Sequence, residues 1–142
     1  MNLRKYYLDA INESLHSKDS EAQVGSIVVD HRGVKRVSGW NGFPRGVHDA
    51  PYRYRDNKIK LSLICHAEAN AIANAAAVGI PLEGCGLVVT KFPCQECAKL
   101  IINSGIVKVC TPPIKQNSKW SESNNVAMMM FNEAKVEVEI ID

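Results

Sequence analysis

Residues 66–105 read HAEANAIANAAAVGIPLEGCGLVVTKFPCQECAKLIINSG, and this stretch holds a helix, a strand and a second helix in that order. From His66 to Val78 the chain is dominated by alanine, the best helix former, until Gly79 and Pro81 stop the run. So much alanine lets a helix lie close against a sheet. Cys85–Thr90 is apolar almost throughout and reads as a buried strand. Pro93 then opens a helix carrying Ala98, Leu100, Ile101 and Ile102, which ends at Ser104-Gly105.

Outward from that stretch the pattern continues. On the N-terminal side, Leu3, Tyr6, Tyr7, Ala10, Ile11 and Leu15 recur at intervals suited to an amphipathic helix over 3–16. Val24–Val29 and Val34–Trp40 read as two strands across the turn Asp30-His31-Arg32-Gly33, which makes an antiparallel hairpin. Residues 41–60 are rich in Gly, Pro, Asp, Asn and Arg and read as a long irregular connection of the kind that carries function. On the C-terminal side, Ile106–Cys110 is a fourth strand and Thr111–Lys119 a second irregular loop. Ser121–Glu133 is a helix with Val126, Met130 and Phe131 inward, and Val136–Ile140 alternates apolar and acidic residues as a last strand with one exposed face. The sum is an α/β domain: helices over a mixed five-stranded sheet, with an antiparallel first hairpin and crossovers long enough for parallel pairing later.

The chain has 142 residues, the length of one domain with one sizeable core. Seventeen Lys+Arg against fifteen Asp+Glu gives +2, far from the balance of a dedicated polynucleotide binder. No apolar run is long enough to span a membrane, and the N-terminus lacks the apolar core and cleavage site of a signal peptide. Five cysteines is an odd number, and their placement does not suggest a disulfide framework; a reducing, cytoplasmic setting is expected. Cys85 and Cys110, set in apolar segments, read as core thiols.

Chemistry concentrates in His66-Ala67-Glu68 and Pro93-Cys94-Gln95-Glu96-Cys97. One imidazole and two thiolates make three zinc ligands and leave the fourth tetrahedral position open. Cys94 and Cys97 are spaced to share one face of a helical first turn, where free amide N–H groups favour thiolates. Glu68, two residues from His66, points elsewhere and suits a proton shuttle better than a fourth ligand. H-x-E…P-C-x-x-C is the known signature of zinc deaminases. A structural zinc site would need a fourth protein ligand, for which Cys65 is awkwardly placed; His48 is the other histidine to watch.

At these residues the sequence resembles the deoxycytidylate (dCMP) deaminases of the cytidine deaminase-like superfamily. The likeness extends to Lys18-Asp19, Gln23-Val24-Gly25, the loop Gly39-Trp40-Asn41-Gly42-Phe43-Pro44-Arg45-Gly46, the helix start Cys65–Ile72 and Phe92–Lys99, and thins after Cys110. The Gly-aromatic-Asn-Gly-x-Pro-x-Gly loop points to the dCMP branch. The resemblance implies a single zinc-dependent domain over 1–142 with a three-layer α/β/α fold. It implies hydrolytic conversion of dCMP to dUMP and ammonia, with Zn²⁺ on His66, Cys94 and Cys97 activating the attacking water and Glu68 moving protons. It further implies a homohexamer with dCTP and dTTP as effectors, and Asn41, Glu96 and backbone around Ala67 near the substrate.

Residue chemistry adds Arg45 as a planar fork for a phosphate, with Arg53, Arg55, Lys58 and Lys60 as further local positive charge. Where the family often carries a Tyr-His-Asp-type segment, this chain has Lys119-Trp120-Ser121-Glu122, and Trp120 is the candidate to stack on a pyrimidine. The preceding loop, Pro112–Ser118, is also atypical, which makes dCTP a second candidate substrate. Rival readings are a base deaminase on RNA or DNA, which would want a basic channel, and a structural zinc module, for which Glu68 would be inconsequential. Tyr6, Tyr7 and Phe131 read as core, Tyr52 and Tyr54 as loop or interface residues, and Met128–Met130 as an adaptable apolar surface.

Overall fold

The computed structural model describes residues 1–142. Strand β1 (Gly25–Val29) is buried along its whole length and lies second from the edge of a five-stranded sheet. It pairs antiparallel with β2 (Lys35–Trp40) on one side, Ile27 opposite Ser38, and antiparallel with β3 (Gly86–Val89) on the other, Ile27 opposite Val88. Beyond β3, β4 (Lys108–Thr111) and β5 (Glu137–Ile140) follow in parallel, Leu87 opposite Val109 and Val109 opposite Val138. The order is β2-β1-β3-β4-β5, the mixed sheet expected from the sequence.

Alternation along the strands divides the core in two. Ile27, Val29, Val88 and Cys110 face Leu3, Tyr6 and Ala10, from a 3-10 turn (Arg4–Tyr6) that runs into helix α1 (Tyr7–Ser14). Val28, Leu87, Val89 and Val109 face the larger cluster, built on α4 (Ala67–Val78), α5 (Gln95–Asn103) and α6 (Ser121–Glu133). Helices therefore cover both faces, the three-layer α/β/α arrangement of the cytidine deaminase-like fold. Cys85 and Cys110 are buried core thiols.

Close contact between α4 and the sheet comes from small residues on both sides. Ala67, Ala71 and Ala75 form the buried stripe of α4. A Cβ placed on Gly39 would lie 2.5 Å from the Ala67 carbonyl oxygen and 2.5 Å from the Ala71 nitrogen. Gly25 plays the same part on the other face, against Ala10 and Ser14 of α1.

Four expectations need correcting. Residues 41–60 are not irregular throughout: α2 (Pro51–Arg55) starts with Pro51 in its first turn, and α3 (Asn57–Leu63) is capped by the Asp56 side chain accepting from Lys58 and Ile59 N–H. Tyr54 is buried rather than an outer loop residue, stacked on Phe43 with ring centroids 4.1 Å apart. Leu15 is exposed, because α1 ends at Ser14 and the chain turns away. The inner face of α6 is Asn124, Ala127 and Phe131; Val126 is only partly buried, and Met130 packs at the core's margin.

Gly39→Ala tests the helix–sheet contact. The added methyl must push α4 outward, so unfolding free energy is expected to fall by about 1–3 kcal/mol in denaturant titration. Wild-type stability in that variant would contradict the contact.

Candidate active site

Two helix N-termini meet at one spot. His66 is extended (φ −74°, ψ 157°) and forms the N-cap of α4. Its approach is set by paired backbone hydrogen bonds between Gly42 and Cys65, N···O 3.1 and 2.8 Å. The helix behind it is stitched to the sheet: Ser26 Oγ donates to the Ala67 carbonyl at 2.9 Å, Asn70 Nδ2 to Trp40 at 2.7 Å and Asn74 Nδ2 to Ser38 at 2.9 Å. Cys94 is the N-cap of α5, its sulfur accepting from the Cys97 N–H at 3.5 Å. The loop before Cys94 is gripped by α6, where buried Asn124 Nδ2 donates to the Phe92 and Pro93 carbonyls at 3.2 and 2.9 Å. Ser123 Oγ accepts from Gln95 N–H at 2.9 Å.

His66 Nδ1 lies 3.4 Å from Cys94 Sγ and 3.5 Å from Cys97 Sγ, and the three donor atoms all fall within 4.8 Å of one another. Ordinary zinc bond lengths at a tetrahedral angle place a nitrogen and a sulfur ligand about 3.6 Å apart, so the donor set fits zinc. No fourth histidine, cysteine or carboxylate joins the group. The Cys94 thiol is pushed down to about 4, first by a hydrogen bond from Cys97 and then by His66 and the Cys97 amide, against its own burial. Cys97, the donor, is pushed up by that same bond and by burial.

Glu68 is 4% exposed and sits in the first turn of α4. Burial pushes its carboxyl up to about 7, against the opposing pull of its backbone amide and of His66. A cavity of about 300 Å³ opens over His66, Ala67, Glu68 and Cys94, the lower end of the size range of small-ligand sites. Trp120 forms part of its lining and presents its ring to His66 in a T-shaped contact, centroids 5.8 Å apart and planes at 83°.

The remaining sequence candidates divide. Asn41 is buried at the cavity, but its amide already donates to the Ala22 carbonyl at 2.7 Å and accepts from Val24 N–H at 2.8 Å. It holds segment 22–24 in the cavity wall. Glu96 points outward to Lys99 at 2.9 Å, because turning Cys94 and Cys97 inward turns the second residue of α5 to solvent. Arg45 is exposed in the turn Pro44–Val47, outside the cavity lining. His48 is on the surface, its carbonyl accepting from Arg53. Lys60 is turned inward, 3.3 Å from Asp19 and 3.4 Å from Glu21, so its charge is already neutralised.

Sequence reasoning missed Lys91, Lys119 and Asn124 in the lining. The position of Lys91, between the carboxyl end of a strand and the next helix, was the available signal for it.

Comparison with known proteins agrees with this geometry. The model of the cytidine and deoxycytidylate deaminase zinc-binding region matches residues 1–112, and the chain belongs to that family of zinc-dependent enzymes. It is 42% identical over 124 residues to an uncharacterized deaminase in the luxG 3' region of Aliivibrio fischeri, covering 86% of this chain and 81% of that one. It is 39% identical over 127 residues to the deoxycytidylate deaminase of Homo sapiens, covering 84% and 68%. The crystal structure of dCMP deaminase from the cyanophage S-TIM5 in apo form has a TM-score of 0.76 at 28% identity, covering 96% of this chain and 94% of that one. The same phage enzyme in complex with dCMP and dUMP gives 0.74 at 27%, with the same coverage. Zinc is accordingly the cofactor, and His66, Cys94 and Cys97 are the side chains positioned to hold it.

Asn124→Ala separates the support of the site from its ligands. It frees the loop before Cys94, so zinc affinity in chelator competition is expected to fall roughly tenfold. Retention of wild-type affinity would show that the α6 contacts do not position the ligand.

Proposed function

We propose that the chain hydrolyses dCMP to dUMP and ammonia, as one zinc-dependent domain spanning residues 1–142. The observation that carries this reading is a buried carboxylate, Glu68, beside a three-donor metal site that keeps one position open, both facing a cavity of about 300 Å³. The naming of the human and phage relatives as deaminases of this nucleotide supports the choice of substrate.

Zinc bound by His66, Cys94 and Cys97 supplies Lewis acidity that makes a water nucleophilic at neutral pH. The chain's residues do the rest. Glu68 takes a first proton from the water and places it on N3 of the pyrimidine, then takes the second from the new C4 hydroxyl and carries it to the departing amine. The C4–N bond breaks, a C4–O bond forms, and ammonia leaves. Trp120 stacks against the base, the Ala67 backbone faces its polar edge, and Asn41 keeps the wall at residues 22–24 in place. Burial of Glu68 excludes the bulk water that would otherwise exchange its proton.

A second reading, turnover of dCTP, is favoured by Lys91 and Lys119, two further positive charges in the lining. Control by dCTP and dTTP and assembly as a homohexamer are part of the same proposal. Leu100 and Met129, exposed on the neighbouring helices α5 and α6, supply apolar surface for a second subunit to cover. No helix is long and apolar enough to cross a membrane, and five unpaired cysteines suit a cytoplasmic enzyme.

Ammonia release from dCMP and dCTP, measured side by side on metal-quantified protein, tests the reading. Turnover of dCMP is expected, and Glu68→Gln is expected to keep its zinc while losing at least about a hundredfold in kcat. Undiminished turnover in Glu68→Gln, or none by the wild type on either nucleotide, would overturn it.

A further inference from the structure

Lysine is almost never fully buried unless paired, and Lys60 is buried against a carboxylate that is buried as deeply. The side chains of Lys60 and Asp19 are 8% and 4% exposed, with N···O 3.3 Å. No other ion pair of the chain has both members buried. Glu21, largely in solvent, adds a second carboxylate at 3.4 Å. All three residues line the cavity over His66 and Glu68.

The pair joins two walls of that cavity. One wall is the segment between α1 and β1, which supplies Asp19, Glu21 and Ala22; the other is α3, which supplies Lys60 and Leu61. The first wall is tied at both ends to Asn41. Ser17 Oγ donates to the Asn41 carbonyl at 2.8 Å, and the Asn41 amide holds Ala22 and Val24. Between those ties the segment is organised by Asp19, whose Oδ1 accepts from the Glu21 N–H at 3.0 Å and from Lys60 Nζ at 3.3 Å. The Lys60 ammonium makes the only hydrogen bonds between α3 and residues 17–24.

A charge pair withdrawn from water resists separation, because each member has given up hydration that only the other replaces. It fixes the distance between the walls, where an apolar contact would let them slide. The supports of α4 and α5 do not pass through it: α4 is held by Ser26, Asn70 and Asn74, and the loop before α5 by Asn124. The walls can therefore loosen while the metal donors and Glu68 stay in place.

We propose that Lys60 is a positioning residue: through its buried pair with Asp19 it sets the separation of the two cavity walls, and with it the affinity for the nucleotide, without touching the nucleotide. This rests on the deaminase reading for the identity of the ligand.

The test uses the full chain with zinc quantified, in wild type, Lys60→Gln, Asp19→Asn and the two combined. Lys35→Gln is the control, since Lys35 makes an ion pair of the same 3.3 Å length with Asp9 at the surface. Hydrogen exchange over residues 18–24, dUMP calorimetry and dCMP kinetics are measured on each. Lys60→Gln and Asp19→Asn should each speed exchange in 18–24, weaken dUMP binding about tenfold and raise KM for dCMP similarly, with kcat and zinc content unchanged. The combined variant should be no worse than either single one, because both remove the same interaction. Lys35→Gln should behave as wild type. Unchanged KM with faster exchange would overturn the proposal, leaving the pair a purely structural one. So would losses that multiply in the combined variant, which would mean that Lys60 meets the nucleotide independently of Asp19. Where a single variant fails to fold, the combined one leaves no buried charge unpaired, and wild-type KM there is equally contrary. Wild type that releases no ammonia from dCMP would defeat the deaminase reading separately, and unchanged exchange over 18–24 would then still refute the brace.

Discussion

Helix α4 rests on β2 with no side chain at Gly39 between them, and the positions of His66 and Glu68 follow from that contact. The Cβ that Gly39 lacks would overlap the Ala67 carbonyl and the Ala71 nitrogen, so the helix axis is set by backbone against backbone. Ser26, Asn70 and Asn74 hydrogen bonds then fix its rotation and its advance along the sheet. With axis, rotation and advance determined, His66 at the N-cap and Glu68 in the first turn have no freedom left except in their own side-chain angles. An alanine-rich helix is what makes this possible, since bulkier residues at 67, 71 and 75 would hold it away from the strands.

The second helix end is brought to the same place by different means. Helix α5 is anchored by Ala98 and Ile101 in the core, and its leading loop is held by Asn124 and Ser123 of α6. Two helices presenting amide N–H groups at one point create a local preference for negative charge. Thiolates answer it on the protein side, and a dication then balances the thiolates. Glu68 gains no such partner and is buried beside them, which raises its pKa and suits it to passing protons on and taking them back. Lys91 and Lys119 add positive charge to the lining of the same cavity.

Much of this was legible in the amino-acid order. Continuous apolar runs marked the strands because both faces of the sheet are covered, and β5, with its acidic alternation, is an edge strand as its pattern required. The helix over 121–133 begins and ends where the sequence placed it. His66, Cys94 and Cys97 were recognisable because a metal site demands particular donors at particular helical spacings. Less local features were not legible. Helices α2 and α3 are short, and α2 depends on Tyr54 stacking on Phe43, a contact that turn-forming composition conceals. Lys60 and Lys91 look alike in sequence, yet one is neutralised by Asp19 and Glu21 while the other is left facing the cavity, a difference set by what the fold brings near them. Arg45, singled out by its chemistry, is exposed in the turn Pro44–Val47 and outside the cavity lining, a placement that residue type does not disclose.

The central claim is that one zinc ion sits on three protein ligands and leaves its fourth position to the reaction. Anomalous diffraction at the zinc edge from crystals grown with dUMP measures this directly. The account predicts a single ion about 2.0–2.3 Å from His66 Nδ1 and the two sulfurs, with no fourth protein ligand and the Glu68 carboxylate facing the remaining position. A fourth protein ligand closing the tetrahedron, or zinc bound elsewhere in the chain, would contradict it.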